Sequence, residues 1–302
     1  MIRKPALELI FYLNRFNPEA PAVRYVLHGR KGSGKSSIMA HMLHYGYTQK
    51  WMLVHAPWIP QWHRQYKEVV PSTFKTGYYD TPYESVVLLK HFASQNGALM
   101  KDLQLKTSKD YIWTKREITP AGSSLEDIIK QGLNRPKFST DCYVVLLKEV
   151  KMHANEGRCK VLVVADGINS SFAPKSRARA EDRSIVPAFK FSLNKAMIDI
   201  TDCDWKNGAV IASVDTRASE EENPTSDLPR YLLGKTGFEH FDPFVPIEVP
   251  LYNEKEANSC LDYYINRKWI SNPKDQTDQA RLELLHISGG NPGYLARLAS
   301  IL

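Results

Sequence analysis

Gly29-Arg30-Lys31-Gly32-Ser33-Gly34-Lys35-Ser36 is the stretch on which the reading of this chain turns. It satisfies G-x-x-x-x-G-K-[ST] at every fixed position. Before it runs the β-prone segment Val23-Arg24-Tyr25-Val26-Leu27-His28. After it, Ile38, Met39, Met42 and Leu43 recur at the spacing of one helix face. Strand, glycine loop and helix together form a phosphate cradle. The glycines let successive backbone N–H groups turn inward, and the helix start adds the positive end of its dipole. The expected nucleotide-binding set on the loop is Gly29, Lys31, Gly32, Ser33, Gly34, Lys35 and Ser36. Lys35 would reach the β- and γ-phosphates, and the Ser36 hydroxyl would hold Mg²⁺.

Working outward, Leu7, Ile10, Phe11 and Leu13 suggest a short helix before the first strand, ended by Asn17-Pro18-Glu19-Ala20-Pro21. Trp51-Met52-Leu53-Val54-His55 reads as a second strand. Residues 58–135 read as an irregular, aromatic-rich insertion with some helices of its own. Its Tyr78, Tyr79, Tyr83, Phe92, Tyr111 and Trp113 either stack on RNA bases beside Lys106, Lys109, Lys115 and Arg116 or simply pack. Thr140 is placed to cap a helix with Tyr143, Leu146, Leu147 and Val150 on one face, ended by Gly157. Val161-Leu162-Val163-Val164-Ala165 is a run that suits a strand buried on both faces. Asp166 at its end is expected to reach the Mg²⁺ through water. The loop Phe172–Pro187 carries Lys175, Arg177, Arg179 and Arg183, which suit RNA backbone or plain solvent.

A further buried strand, Gly208–Val214, places Ser213 where a γ-phosphate sensor sits, and Val245–Val249 is another strand. From Asn253 the pattern turns helical. This yields a nucleotide-binding α/β domain over 1–250 and a helical lid over 251–302, with Lys274–Thr277 as its exposed turn. The fold class expected is α/β: a parallel sheet flanked by helices, with a C-terminal helical lid.

The chain of 302 residues is 43% hydrophobic and 24% charged, as a globular protein is. It has no apolar run long enough to cross a membrane. A net charge of +7 favours an acidic partner, nucleic acid first, or else reflects a basic surface or compartment. Cys142, Cys159, Cys203 and Cys260 form no C-x-x-C pair, which argues against zinc and against a disulfide framework. His41 and His44 share a helix face but have no third ligand nearby. Met1–Asn17 resembles neither a secretory signal nor a transit peptide.

A Ras-like GTPase would show D-x-x-G and N-K-x-D. Here Asn169 replaces the glycine in Asp166-Gly167-Ile168-Asn169, and Asn194-Lys195-Ala196-Met197 lacks the aspartate. The order of strands and the lid instead resemble the AAA+ and STAND branch of phosphate-loop NTPases. Ile2-Arg3-Lys4-Pro5 resembles the segment that touches nucleotide ahead of the loop, and Gly290-Asn291-Pro292 resembles the lid element that closes over it. Arg3 and Pro292 therefore join the nucleotide-binding set. Gly167 stands where the base-orienting Glu follows the aspartate, and loss of such a base costs about 10² to 10⁴ in rate. At most weak nucleotide hydrolysis is expected.

Arg3–Ile10, Arg24–Leu27, Tyr111–Glu117, Asp166–Asn169, Leu233–Phe238 and Asp242–Ile247 together resemble the death-associated protein 3 family, GTP-binding proteins of the mitochondrial small ribosomal subunit. The resemblance implies bound GTP or GDP with Mg²⁺, and phosphate contacts at Gly32, Gly34, Lys35, Ser36 and Ser37. It implies residence in the mitochondrial matrix on the ribosome. Implied partners are mitochondrial ribosomal RNA, neighbouring small-subunit proteins, a bridge to the large subunit, and apoptotic signalling proteins. Members of the family carry an N-terminal extension with a targeting segment, which Met1–Asn17 does not resemble. A nucleotide held structurally is the first reading. A slow NTPase switch and a STAND-type signalling adaptor stand behind it.

Overall fold

A run as apolar as Val161–Ala165 must be covered on both faces, and all five of its residues are buried. The computed structural model describes residues 1–221 and 224–301. In chain order the first elements are α1 (Lys4–Leu13), β1 (Val23–His28), α2 (Lys35–Thr48), β2 (Met52–Ala56) and the short α3 (Gln61–Arg64). A small hairpin, β3 (Val70–Pro71) with β4 (Tyr79–Asp80), leads into α4 (Pro82–Leu103). A second, β5 (Tyr111–Ile112) with β6 (Ile118–Thr119), precedes α5 (Leu125–Asn134) and α6 (Ser139–Asn155). Then follow β7 (Val161–Ala165), α7 (Ser192–Ile200), β8 (Gly208–Ser213), α8 (Pro229–Phe241) and β9 (Val245–Glu248). The chain closes with α9 (Glu254–Asn266), α10 (Asp278–Ser288) and α11 (Pro292–Ala299).

The five long strands form one parallel sheet in the order β2-β7-β8-β1-β9. The fold is α/β, as expected: a parallel sheet flanked by helices, of the phosphate-loop NTPase kind. Alternate side chains feed two cores. Val54, Val163, Val210 and Val26 pack under α4, α5, α6 and α7 on one face. Leu53, Leu162, Ile211 and Leu27 pack against α1 and α2 on the other. The C-terminal helices α9–α11, the expected lid, have a core of their own, built on Ala257, Leu261, Tyr264, Leu284 and Leu295.

Register decides where function gathers. Ala165 pairs with Ala212, and Leu27 pairs with both Ser213 and Ile247. The residues after β1, β7, β8 and β9 therefore emerge side by side at the carboxyl edge. Ligands of open α/β sheets bind at that edge.

Three local readings are corrected. The N-terminal helix exists, but it buries Pro5, Ala6, Leu9 and Leu13, while Leu7 and Phe11 face solvent. The second strand is Met52–Ala56, one residue later than read. Thr140 is no cap: α6 starts at Ser139, and the buried Thr140 hydroxyl shares a 2.8 Å hydrogen bond with Ser85. Residues 58–135, read as an irregular insertion with some helices of its own, do hold helices, the longest the 22-residue α4, which lies along β2. There Asn96 accepts from the Leu53 N–H at 2.7 Å and donates to its carbonyl at 2.9 Å. A side-chain amide thus takes the place of a neighbouring strand at the sheet edge. In that stretch Phe92 is core, and Tyr111 stacks on Trp113 with centroids 6.1 Å apart.

Candidate nucleotide site

The loop after β1 has the backbone that its glycines permit. Gly29, Gly32 and Gly34 all lie at positive φ. A Cβ on Gly32 would sit 2.6 Å from the Asn291 side-chain oxygen, so no larger residue fits beneath the lid. Ser33 is buried, and its hydroxyl is without a hydrogen-bond partner among the described residues. A buried unpaired hydroxyl inside a glycine cradle suits an oxyanion ligand. Ser36 and Ser37 are exposed on the first turn of α2, and Lys31 is exposed on the loop.

Lys35 is buried, and its ammonium donates to the carbonyls of Gly29 at 2.8 Å and Arg30 at 3.3 Å. It also pairs with Asp215 at 3.1 Å. Asp215 follows β8 and is 3% exposed. Burial alone would raise its pKa, but Lys35, and then the Arg217 amide and guanidinium, hold it below the usual carboxylate range. The Ser36 hydroxyl donates to Asp166 at 2.5 Å. This brings together a hydroxyl and a carboxylate, both hard oxygen ligands of the kind Mg²⁺ takes. Ser213 donates its hydroxyl to the other Asp166 oxygen and accepts the Gly167 N–H at 3.1 Å. It therefore orients the aspartate.

Gly167 itself is constrained. Its φ is +72°, and an added Cβ would lie 2.9 Å from the Trp58 ring and 3.0 Å from Pro60. The backbone beside Asp166 has no room for a glutamate.

Arg3 touches the loop's backbone. Its guanidinium donates to the carbonyls of Ser33 and Pro250, each at 2.7 Å, and pairs with Glu256 at 3.2 Å. It also lies over the Tyr252 ring at 4.8 Å. The residue picked out for the nucleotide is thus a strut between α1, the loop and the lid. The lid element likewise sits on the loop. Asn291 donates to the Lys31 carbonyl at 2.9 Å, and the Gly293 N–H donates to the Gly32 carbonyl at 2.9 Å. Pro292, half-buried between them, is the first residue of α11. Of the expected set, Gly29, Gly32, Ser33, Gly34, Lys35, Ser36, Asp166 and Ser213 gather at the carboxyl edge. Sequence reading did not name Asp215, Asn169 or Asn291 as site residues, although it quoted Asn169 in the D-x-x-G comparison and Asn291 in the element that resembles a closing lid. Asp215 left only the signal of a carboxylate two residues past a buried strand.

Two other sequence-derived candidates lie elsewhere. Tyr111 and Trp113 line a cavity of about 860 Å³ with Lys109, Lys137 and Lys148, and the Tyr111 hydroxyl is spent on the buried Glu149. The loop bearing Arg177, Arg179 and Arg183 folds onto the β3–β4 hairpin through Ala178, Val186 and Phe191. Lys67 lies over Tyr83 at 3.8 Å and Lys75 over Tyr78 at 3.9 Å.

A family model described as mitochondrial ribosomal death-associated protein 3 matches residues 1–298. The chain is 36% identical over 302 residues to the small ribosomal subunit protein mS29 of Bos taurus, covering 100% of this chain and 75% of the relative. It is 37% identical to that of Mus musculus, covering 100% and 76%.

Proposed function

The chain belongs to the mitochondrial ribosomal death-associated protein 3 family, and from that premise we propose that it is a structural component of the small subunit of the mitochondrial ribosome that holds a guanine nucleotide. Its place of work is the mitochondrion. The nucleotide, GTP or GDP with Mg²⁺, is part of the fold. When bound, it would supply phosphate oxygens to the loop N–H groups and to Lys35, and a metal held by Ser36 with Asp166 behind it. The single observation that carries a holding role is the seat of Gly167, where φ, Trp58 and Pro60 together refuse the glutamate that would orient an attacking water. A nucleotide at about 1,000 times its Kd contributes about 4 kcal/mol to the folded state, a large share of a domain's net stability.

Ribosomal RNA is the partner proposed for the exposed Arg177, Arg179 and Arg183 of the loop packed on the β3–β4 hairpin. Each lysine or arginine that neutralises a phosphate steepens the salt dependence of binding.

The test is to purify the protein without added nucleotide, denature it and identify what is released. The emptied protein is then titrated with guanine and adenine nucleotides plus Mg²⁺ while phosphate release is followed. Guanine nucleotide, tight rebinding, loss of binding in Lys35→Ala and negligible turnover are expected. Preference for ATP with steady turnover would overturn the reading.

A further inference from the structure

An ammonium has three N–H donors. Lys35 spends two on the carbonyls of Gly29 and Arg30 and the third on the Asp215 carboxylate at 3.1 Å. The lysine of such a loop serves the β- and γ-phosphates. The donor that a terminal phosphate needs is therefore already committed to a buried carboxylate.

That carboxylate cannot swing aside freely. Its other oxygen accepts from the Arg217 backbone N–H at 2.9 Å and from the Arg217 guanidinium at 3.1 Å. Its own backbone N–H donates to the Asn169 side chain at 3.2 Å, and its carbonyl accepts from the same amide at 3.1 Å. Arg217 in turn lies over the Trp58 ring at 4.9 Å. This gives a role to Asn169, which stands where a GTPase would have the glycine of D-x-x-G. It clamps the backbone of Asp215.

We infer that Asp215, fixed by Asn169 and Arg217 against Lys35, makes this a diphosphate-selective site that disfavours nucleoside triphosphates. The inference rests on the nucleotide-binding reading of the loop. A γ-phosphate brings about two negative charges at neutral pH, as other terminal phosphates do. They would arrive where Asp166 and Asp215 already stand and where one lysine is shared. A β-phosphate is met by the loop N–H groups and by the Lys35 donor now on the Arg30 carbonyl at 3.3 Å, which leaves the Lys35–Asp215 pair intact; a γ-phosphate would demand the donor held by Asp215. Specificity here comes from a built-in repulsion.

The experiment is competition binding with Mg²⁺, using GDP, GTP and a non-hydrolysable GTP analogue, and ADP and ATP in parallel. The proteins are wild type, Asp215→Asn and Asn169→Ala. Wild type should hold GDP roughly ten- to a hundredfold more tightly than GTP or its analogue. Asp215→Asn should raise affinity for the triphosphates about tenfold and change that for GDP by less than about threefold. Asn169→Ala should move the ratio the same way but less. Equal affinities in wild type, or a parallel shift of di- and triphosphate in Asp215→Asn, would overturn the inference and leave the nucleotide site standing. No nucleotide bound by wild type would overturn both. If Asp215→Asn does not fold, the wild-type ratio and Asn169→Ala decide.

Discussion

Gly167→Ala isolates the feature on which the proposed holding role rests. At φ +72° a side chain costs about 1 to 2 kcal/mol, because Cβ crowds the following carbonyl. The new methyl would lie 2.9 Å from the Trp58 ring and 3.0 Å from Pro60. The proline ring cannot turn away, and the tryptophan carries the Arg217 guanidinium on its face. Overpacking of this kind costs about 1 to 3 kcal/mol. The sum is a loss of about 2 to 5 kcal/mol, which lowers Tm by roughly 5 to 15 °C in a domain of this size. Urea unfolding of wild type, Gly167→Ala, Trp58→Ala and the double variant reads both parts. In the Trp58→Ala background the glycine substitution should cost its backbone strain and the remaining Pro60 contact, so the coupling energy should be at most about 1 to 3 kcal/mol. Gly167→Glu should be at least as damaging and should release no more phosphate than wild type. A Gly167→Ala protein within about 0.5 kcal/mol of wild type would refute the steric argument. So would a stable Gly167→Glu that hydrolyses GTP.

Three further outcomes follow from other contacts. Asn96→Ala strips both partners from the buried Leu53 backbone, and should cost about 2 to 4 kcal/mol with faster hydrogen exchange at Leu53. Arg3→Ala releases the Ser33 and Pro250 carbonyls and leaves Glu256 alone, so limited proteolysis should cut first within residues 251–301. Arg3→Lys should not restore protection, because an ammonium cannot reproduce the guanidinium's fork. Burial takes the pKa of His63 down from 6.5 to about 3, with Arg64 adding to the shift. The unfolded chain then binds the extra proton between these values, so stability falls as pH drops below about 6.5, by about 2 kcal/mol at pH 5. His63→Asn should flatten that part of the pH–stability curve.

What the sequence made legible were features whose cause is local. A glycine loop between a β-prone run and an amphipathic helix leaves little choice of structure, and a run such as Val161–Ala165 asks for cover on both faces. Asp166 followed from that run, because the residue after a buried strand emerges at the ligand edge. What stayed hidden depends on partners far along the chain. Asp215 meets Lys35 only because β8 lies beside β1, and Asn169 meets Asp215 only because β7 lies beside β8. Arg24 looks out of place in a buried strand until its guanidinium is seen on the carbonyls of His240, Asp242 and Pro243. Phe11 misled for the opposite reason. It fits the apolar spacing of α1 but lies beneath the Arg15 guanidinium at 3.9 Å on the solvent side. Thr140 is a capping residue type whose hydroxyl found a partner across the helix pair instead.

On the proposed reading, the contacts around the loop would make holding a nucleotide and holding the fold one property. The loop's carbonyls are the attachment points of two other parts: Ser33 for α1 through Arg3, and Lys31 and Gly32 for the lid through Asn291 and Gly293. A backbone that bends its N–H groups inward toward phosphate necessarily turns carbonyls outward, and these are the groups that α1 and the lid bind. Phosphate on one side and lid on the other therefore favour the same loop conformation, and each lowers the ordering cost of the other. By linkage, the factor by which nucleotide tightens the lid is the factor by which a seated lid tightens nucleotide. A switch enzyme must weaken that coupling at every turnover. On the proposed reading, the seat of Gly167, closed to a glutamate beside Asp166, leaves that coupling in place.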